Sequence, residues 1–174
     1  METENLRLLA QTPAHLRALI EGADIYTRKF SLRLADGVRE FMVSPDVSPK
    51  FLEQLKLSNS ADPWTHGFAL VHLADQIVIG MCGFKGPPGA DGVVELAYGI
   101  VPDYEGRGYA TEAAWALALY AFNRDGIAAV VAHTLPRSNA STRVLEKCGF
   151  RWVGEVVDPE DGLVWKWEKR RADT

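Results

Sequence analysis

VPDYEGRGYATEA, residues 101–113, joins a strand-like run to a helix-like run, and its two glycines lie just before the helix. The run before it, VVELAYGI, is apolar, and the run after it is rich in alanine and leucine as far as Phe122. Glycines at such a junction allow backbone N–H groups to turn toward a bound anion. The sequence therefore predicts either an anion-binding turn here or a sharp turn with a purely structural role.

Outward from this junction, the sequence predicts alternating strands and helices. GFALVHL and QIVIGMCGF form a plausible hairpin, and VVELAYGI adds a third strand, which together make an antiparallel meander. After the helix Gly108–Phe122, IAAVVAHTL has the pattern of a buried strand. SNASTRVLEKCG then has polar caps, inward-facing Val144 and Leu145, and Gly149 as the glycine of a helix end.

The two ends of the chain complete this pattern. ENLRLLA predicts a first strand, and TPAHLRALIEG and SPKFLEQLKL each begin with a polar cap followed by proline, as helices do. FRWVGEVV and GLVWKWE predict two last strands joined by the turn-rich DPED, whereas residues 24–47 show no decisive pattern. We therefore expect one domain of mixed α and β structure.

Composition excludes several classes of function. The 174 residues carry a net charge of −4, which argues against a nucleic-acid partner, and no apolar run is long enough to span a bilayer. The N-terminus lacks a signal-peptide pattern, so a cytoplasmic protein is expected. Two cysteines and four scattered histidines fit neither a disulfide framework nor a metal site.

The glycine junction only partly fits the motifs of nucleotide-binding proteins. GRGYAT lacks the third glycine of G-x-G-x-x-G, and the preceding strand belongs to a meander rather than to a parallel βαβ unit. No Gly-Lys-Ser/Thr follows, which excludes a Walker loop. A dinucleotide site, an acyl-coenzyme A site and a turn that binds nothing remain as alternatives from this stretch alone.

Two blocks together resemble the GNAT superfamily of acyl-CoA-dependent N-acyltransferases, and within it the RimJ/RimL-like branch of ribosomal-protein N-acetyltransferases. The first block is EGRGYA, residues 105–110, which follows the family pattern Gln/Arg-x-x-Gly-x-Gly/Ala except for glutamate at the first position. The second is NASTRVLEKCGF, residues 139–150. The resemblance implies a single α+β domain over residues 1–174, with a central, mostly antiparallel, splayed mixed sheet flanked by helices.

This resemblance implies acetyl-CoA as the acyl donor, without a metal. Its pyrophosphate would lie against the helix N-terminus, where unpaired N–H groups carry a partial positive charge. Its pantetheine would run along the strand that contains Tyr98 and Ile100, where the family's sheet splays, and Asn139 would either bind it or cap the next helix. The residues implied at the pyrophosphate are Gly106, Arg107, Gly108, Tyr109, Ala110 and Thr111.

The implied reaction is direct attack of an amine on the thioester, which requires a base. Glu95, the one charge within VVELAYGI, is the candidate base; the alternative is an ion pair or a surface glutamate. Many members of the superfamily protonate the leaving thiolate with a tyrosine, but Leu145 occupies that position here. Ser141 is therefore the candidate proton donor, with Tyr98 and Tyr109 in reserve.

The acceptor is the least determined part of the reaction. The resemblance implies a primary amine, either a protein N-terminus or a small molecule, bound mainly by residues 24–60 and the loop KGPPGADG. Trp64, His66 and Phe30 are candidates to line that pocket, although packing roles suit them better. The other function considered is a non-catalytic acyl-CoA sensor of the same fold, and either form is expected to be a monomer or a homodimer.

Overall fold

The structure is a computed structural model that describes residues 1–45, 47–159 and 161–173. Asp46, Glu160 and Thr174 lie outside the described residues, so the predicted DPED turn is described only in part. The strands are β1 Leu6–Ala10, β2 Arg33–Leu34, β3 Phe68–His72, β4 Ile77–Phe84, β5 Val93–Ile100, β6 Ala129–Thr134, β7 Arg151–Asp158 and β8 Gly162–Arg170. The helices are α1 Pro13–Glu21, α2 Ala23–Phe30, α3 Glu40–Val43, α4 Pro49–Leu57, α5 Pro63–His66, α6 Tyr109–Phe122 and α7 Ala140–Lys147.

The strands form one mixed sheet in the order β1-β3-β4-β5-β6-β8-β7, and the two-residue strand β2 pairs in parallel with β4. The predicted antiparallel meander of β3, β4 and β5 is confirmed. Only β5 and β6 pair in parallel among the main strands, because α6 carries the chain across between them. The expected mixed α/β sheet with flanking helices is therefore the fold that the chain adopts.

The sheet separates between β5 and β6. Their parallel pairing covers only Val93–Glu95 against Ala129–Val131, whereas β4 pairs with β5 from Leu96 to Ile100. The two strands thus share an edge at their beginnings and diverge after Glu95. The splay expected between these strands is confirmed, and it starts at the residue predicted to act as the base.

The helix α6 fills the concave side of this splayed sheet. Seven of its residues are buried, and it packs against β5 and touches β1, β4 and β6. On β5, Val94, Leu96 and Ile100 are buried, whereas Glu95 and Gly99 between them lie on the opposite face. The alternation of a strand explains this division, and it leaves the second face of β5 free to line a site.

The segment 24–47, which shows no decisive sequence pattern, contains short elements. The helix α2 follows α1 after the single residue Gly22, α3 has four residues and β2 has two. Elements this short contain too few turns or alternations to show a periodic pattern. The predicted helix at SPKFLEQLKL is confirmed as α4.

Glu112 lies in the first turn of α6, where a negative charge is favourable to the helix dipole, and it also ties α6 to β1. It accepts hydrogen bonds from the backbone N–H of Asn5 at 2.8 Å and from the Asn5 side chain at 3.1 Å. Burial raises the pKa of Glu112, but hydrogen bonds that include those from Asn5 outweigh burial and hold the pKa below its ordinary value of 4.5. The ionised carboxylate therefore stabilises the folded state above that pH, and this stability is lost as the pH falls through the lowered pKa.

We expect Glu112→Gln to lower the free energy of unfolding by about 1–2 kcal/mol at pH 7, because two hydrogen bonds lose their ionised acceptor. The difference between the two proteins should shrink as the pH falls below about 4, where the wild-type carboxylate also becomes neutral. Denaturant unfolding at several pH values measures both effects. A difference that stays constant with pH would show that Glu112 acts through packing alone.

Candidate active site

The N-terminus of α6 presents unpaired backbone N–H groups beside two glycines. Gly106 and Gly108 adopt φ values of +72° and +89°, in the left-handed region that favours glycine, and a Cβ atom on either would project into open space. The first helical hydrogen bond is that of the Glu112 N–H to the Gly108 carbonyl. The N–H groups of Tyr109, Ala110 and Thr111 therefore have no acceptor within the helix and are available to an anion.

A hydrogen-bonded chain holds this turn against the β3–β4 hairpin. The Tyr109 hydroxyl lies 2.8 Å from His72 Nε2, and His72 Nδ1 lies 2.9 Å from Asp75. The Tyr104 hydroxyl donates to the same Asp75 carboxylate at 2.8 Å, and this bond is the main cause that lowers the pKa of Asp75. The side chain of Tyr109 thus fixes the turn, which leaves its backbone N–H for the anion.

Arg107 is exposed at the turn. Its guanidinium donates to the Asp103 carbonyl at 2.9 Å and lies 5.2 Å from the centre of the Tyr104 ring. These contacts hold a positive charge beside Gly106 and Gly108. An anion at the start of α6 would therefore meet backbone N–H groups and one cation together.

The main chain of β5 faces the opening of the sheet at the two predicted residues. The Lys85 N–H donates to the Glu95 carbonyl and the Val101 N–H donates to the Ile79 carbonyl, so the odd-numbered residues of β5 bond to β4. Hydrogen-bonded pairs alternate along an antiparallel ladder, so Tyr98 and Ile100 turn their N–H and C=O groups to the other edge. That edge is where β6 has diverged.

A slot of about 120 Å³ occupies this divergence. Its walls include Tyr98 from β5, His133 from β6 and Ser141 from α7, and the Tyr98 hydroxyl donates to the Ser141 carbonyl at 3.3 Å. Asn139 caps α7, since its side chain accepts from the Thr142 N–H at 3.0 Å. The cap role that the sequence left open for Asn139 is therefore occupied, although capping uses only its amide oxygen.

Glu95 lies in the slot at the point of divergence, with two basic side chains beside it. Lys85, directly across the β4–β5 ladder, places Nζ 2.9 Å from Glu95 Oε1. Burial lowers the pKa of Lys85. The hydrogen bond and the charge of Glu95, together with the charges of nearby aspartates, raise this pKa by more than burial lowers it, so it lies above its ordinary value. The ammonium therefore stays charged beside the carboxylate.

His133 is the second basic neighbour of Glu95. Its Nδ1 lies 3.0 Å from Glu95 Oε1, yet this buried atom has no hydrogen-bond partner among the described residues. The distance permits a hydrogen bond, so the angle must be what prevents it. We regard the contact as electrostatic proximity, with Nδ1 still available to another partner.

A second cavity, of about 790 Å³, lies over β4 and β5 on the Glu95 face of the sheet. It is enclosed by α3, α4, the end of α5 and the first residues of the KGPPGADG loop. It shares Lys85, Ala97 and Tyr98 with the slot, so the two spaces meet along β5 next to Glu95. This size is typical of a site for a small organic molecule.

Of the three residues that the sequence suggested for the acceptor pocket, one lines the large cavity and two pack against other aromatic rings. His66 lines the large cavity; its Nδ1 accepts from the Asp62 N–H at 3.0 Å, and burial lowers its pKa. Trp64 packs on Phe84, and Phe30 stacks on the ring of His15. Neither Trp64 nor Phe30 is among the described residues that line the cavity.

The cysteines are poor nucleophiles in this structure. Both are free and buried, and burial raises the pKa of each thiol, that of Cys148 to about 11. Across residues 1–45, 47–159 and 161–173, no cluster of three or more potential metal ligands occurs. Within the same residues, none of the helices is long and apolar enough to cross a membrane.

Sequence reasoning did not identify Lys85, His133, His72 or Asp75 as part of the site. Each contributes through a contact set by strand register or by the hairpin beside α6. The charge of Glu95 inside an apolar strand was the available signal, because such a residue needs a partner. The position of that partner depends on the β4–β5 register, which the sequence did not specify.

Comparison with known proteins agrees with this geometry. The family described as an acetyltransferase (GNAT) domain matches residues 5–151. The uncharacterized N-acetyltransferase YjdG of Bacillus subtilis (strain 168) is 24% identical over 100 residues, which are 58% of this chain and 60% of that protein. The uncharacterized N-acetyltransferase p20 of Bacillus licheniformis is 24% identical over 147 residues, which are 76% of this chain and 82% of that protein.

A solved structure has the same fold over nearly the whole chain. It is the ribosomal L7/L12 alpha-N-protein acetyltransferase RimL in complex with coenzyme A, with a TM-score of 0.67, 15% sequence identity, and coverage of 99% of this chain and 97% of that one. At this identity the likeness concerns the fold. The family match, which spans most of the chain, decides the assignment: the chain belongs to the GNAT family of acetyltransferases and contains its N-acetyltransferase domain.

Proposed function

We propose that this protein transfers the acetyl group of acetyl-CoA to a primary amine by direct attack in a ternary complex. The observation that carries the proposal is the meeting of two spaces at Glu95. The slot between β5 and β6 is open to a thioester, and the large cavity over β4 and β5 is open to an acceptor. An amine that enters from the cavity would reach the thioester beside a carboxylate.

Coenzyme A would be held by the chain's own backbone. The N–H groups at the start of α6, from Gly106 to Thr111, would bind the pyrophosphate, with Arg107 as an added cation. The pantetheine would pair with the main chain of Tyr98 and Ile100 as an extra strand pairs with a sheet edge. Asn139 would donate to it with its amide nitrogen, which the cap does not use.

Glu95 would act as the base. An α-ammonium group has an ordinary pKa of about 8 and a lysine-like ammonium about 10.4, so either must lose a proton before it attacks. Lys85 and His133 both approach Oε1 of Glu95. Oε2 would then take the proton of the amine, directly or through one water molecule.

The remaining steps use groups on the walls of the slot. A backbone N–H of β5 that faces the slot, at Ile100 or Tyr98, would polarise the thioester carbonyl. The Ser141 hydroxyl would donate a hydrogen bond to the sulfur as the C–S bond breaks. The Tyr98 hydroxyl already donates to the Ser141 carbonyl at 3.3 Å, which favours the Ser141 hydroxyl for this role.

We expect Ser141→Ala to lower kcat by about 10- to 100-fold, since the leaving thiolate loses its hydrogen-bond donor. The affinity for acetyl-CoA should change little, because α7 keeps its cap at Asn139. Steady-state kinetics with a single good acceptor measures the effect, and Ser138→Ala, the same change at an exposed position just before α7, is the control. Equal turnover in the two variants would remove Ser141 from the mechanism.

The function itself is tested by incubating the protein with acetyl-CoA and a panel of amines and measuring release of free thiol. Turnover that requires both an amine and Glu95 supports the proposal. Tight binding of acetyl-CoA without turnover on any amine or N-terminal peptide would instead support the non-catalytic sensor. Binding of NAD without binding of coenzyme A would overturn both.

Three finer assignments belong to this proposal. The RimJ/RimL-like branch is proposed from the two sequence blocks at residues 105–110 and 139–150. A single domain over residues 1–174 is supported by β7 and β8, which extend the same sheet past the family match. The cytoplasmic location and the choice between monomer and homodimer stay predictions from the sequence.

A further inference from the structure

The large cavity has mostly apolar walls. Aromatic and aliphatic side chains line it on the helical side and on the sheet side, among them Phe41, Met42, Phe51, Met81 and Pro87. Gly99 contributes to this shape, because a Cβ atom there would lie 2.8 Å from the ring of Phe41. The walls would therefore bury an apolar body of the acceptor, and the amine would be directed along β5.

The charges around the cavity are basic. No aspartate or glutamate occurs among the described residues that line it, whereas Lys50 and Lys85 do. Lys85 is already paired with Glu95 at 2.9 Å and with Asp161 at 3.4 Å. Among the described residues that line the cavity, Lys50, exposed on α4, is thus the cation left to act on a bound molecule.

We infer that the acceptor is an α-amine carried by an apolar residue, with a carboxylate directed to Lys50: a free apolar amino acid or a short apolar peptide. This inference rests on the proposed function and names the acceptor of the same site. The amine points to Glu95, the apolar side chain lies between α3, α4 and β4, and the carboxylate meets Lys50. The free amino acid and the short peptide both carry an α-amine, an apolar side chain and a carboxylate, and they differ in length.

The same charges disfavour an acceptor with several amines. A second ammonium in this cavity would leave water without a carboxylate among the described lining residues to compensate it, and it would meet Lys50. Glu95, the carboxylate where the cavity meets the slot, already has Lys85 beside it. An α-amine also loses its proton more easily than a lysine-like amine, which suits a carboxylate base.

The test compares four acceptors with acetyl-CoA: phenylalanine, the dipeptide Phe-Leu, Phe-Leu amide and the polyamine spermidine. We expect kcat/KM to be highest for Phe-Leu or phenylalanine, lower for the amide, and lowest for spermidine. Phenylalanine above the dipeptide identifies a free amino acid as the source, and the reverse order identifies a peptide. Spermidine as the best acceptor would overturn the inference.

Variants of α4 make the test specific to Lys50. Lys50→Glu should raise KM for Phe-Leu about 5- to 10-fold, because attraction of the carboxylate becomes repulsion. The amide, which has no charge at that end, should change less. Lys56→Glu makes the same charge change on the same helix at an exposed residue outside the cavity lining, and it should leave KM as it is. Equal effects of the two variants would overturn the role of Lys50.

Binding measurements separate this inference from the proposed function. Calorimetry with Phe-Leu and the coenzyme A-loaded protein needs no turnover. Lys50-dependent binding of Phe-Leu without acetyl transfer to any amine would retain the inference and refute the proposed function. Acetyl transfer to amines with no dependence on Lys50 and no preference for an apolar acceptor would support the proposed function and refute the inference about the acceptor.

Discussion

Glu95→Gln should lower kcat by about 10²- to 10⁴-fold and leave the affinity for coenzyme A within about twofold, the range expected when a general base is removed. Glutamine has nearly the same shape, so the strand and the slot should be preserved. What it lacks is a negative charge and the ability to take a proton from the amine. The loss should therefore appear in kcat with a good acceptor rather than in the binding of the donor.

The residues around Glu95 should tolerate the Glu95→Gln substitution without loss of stability. Lys85 is exposed and keeps Asp161 at 3.4 Å as a second partner, so the substitution does not leave its ammonium isolated. His133 loses a carboxylate neighbour, but Nδ1 was not hydrogen-bonded to it.

Steady-state kinetics and calorimetry with coenzyme A provide the two measurements. Glu155→Gln is the matched control, because Glu155 is an exposed glutamate of β7 that accepts only from Trp165 Nε1 among its described contacts. Turnover should fall in the first variant alone. Full activity in Glu95→Gln would show that Glu95 is a structural ion-pair residue and would shift attention to His133.

The sequence predicted the order of elements from β3 to β8, where the ends of the helices and strands depend on residues close by in the sequence. Gly108 and Gly149 both have positive φ, and Asn139 caps α7 with its own side chain, so each boundary is encoded within a few residues. The strands of the meander are long enough to show their pattern. The order from β3 to β8 was predictable for this reason.

The segment between α1 and β3 was not predictable in the same way. The helices α2 and α3 and the strand β2 have eight, four and two residues, and their positions depend on the sheet and on α1 rather than on their own patterns. Of these elements, α3 lines the large cavity through Phe41 and Met42, beside the predicted helix α4. The sequence therefore predicted one of the two helices on this side of the proposed acceptor cavity and left the other open.

The neighbours of Glu95 were missed for a different physical reason. Lys85 and Glu95 are ten residues apart, and they meet because the β4–β5 ladder places them opposite each other. His133 approaches only because β6 starts beside β5 and then diverges. Register and splay are properties of the assembled sheet, so a motif in one strand cannot report them.

Gly108→Val should weaken the binding of coenzyme A by at least about 10-fold, since its Cβ and methyl groups would enter the open space in front of the α6 N–H groups. The same change forces a β-branched residue into φ +89°, which costs about 1–2 kcal/mol of stability. A control must therefore carry the same strain without touching the site. Gly126 meets this need, because it has φ +81°, an equally open Cβ position, and lies beyond the other end of α6.

We expect Gly108→Val and Gly126→Val to lose similar stability in denaturant unfolding, while only Gly108→Val loses affinity for coenzyme A in calorimetry. Arg107→Glu gives an independent test without backbone strain, because it replaces an exposed cation at the turn by an anion and should weaken binding by about 5- to 10-fold. Each variant acts on a different part of the anion site: shape in one case, charge in the other. If coenzyme A binds equally well to Gly108→Val, Arg107→Glu and the control, the pyrophosphate does not lie at the start of α6, and the slot along β5 must be reached from another direction.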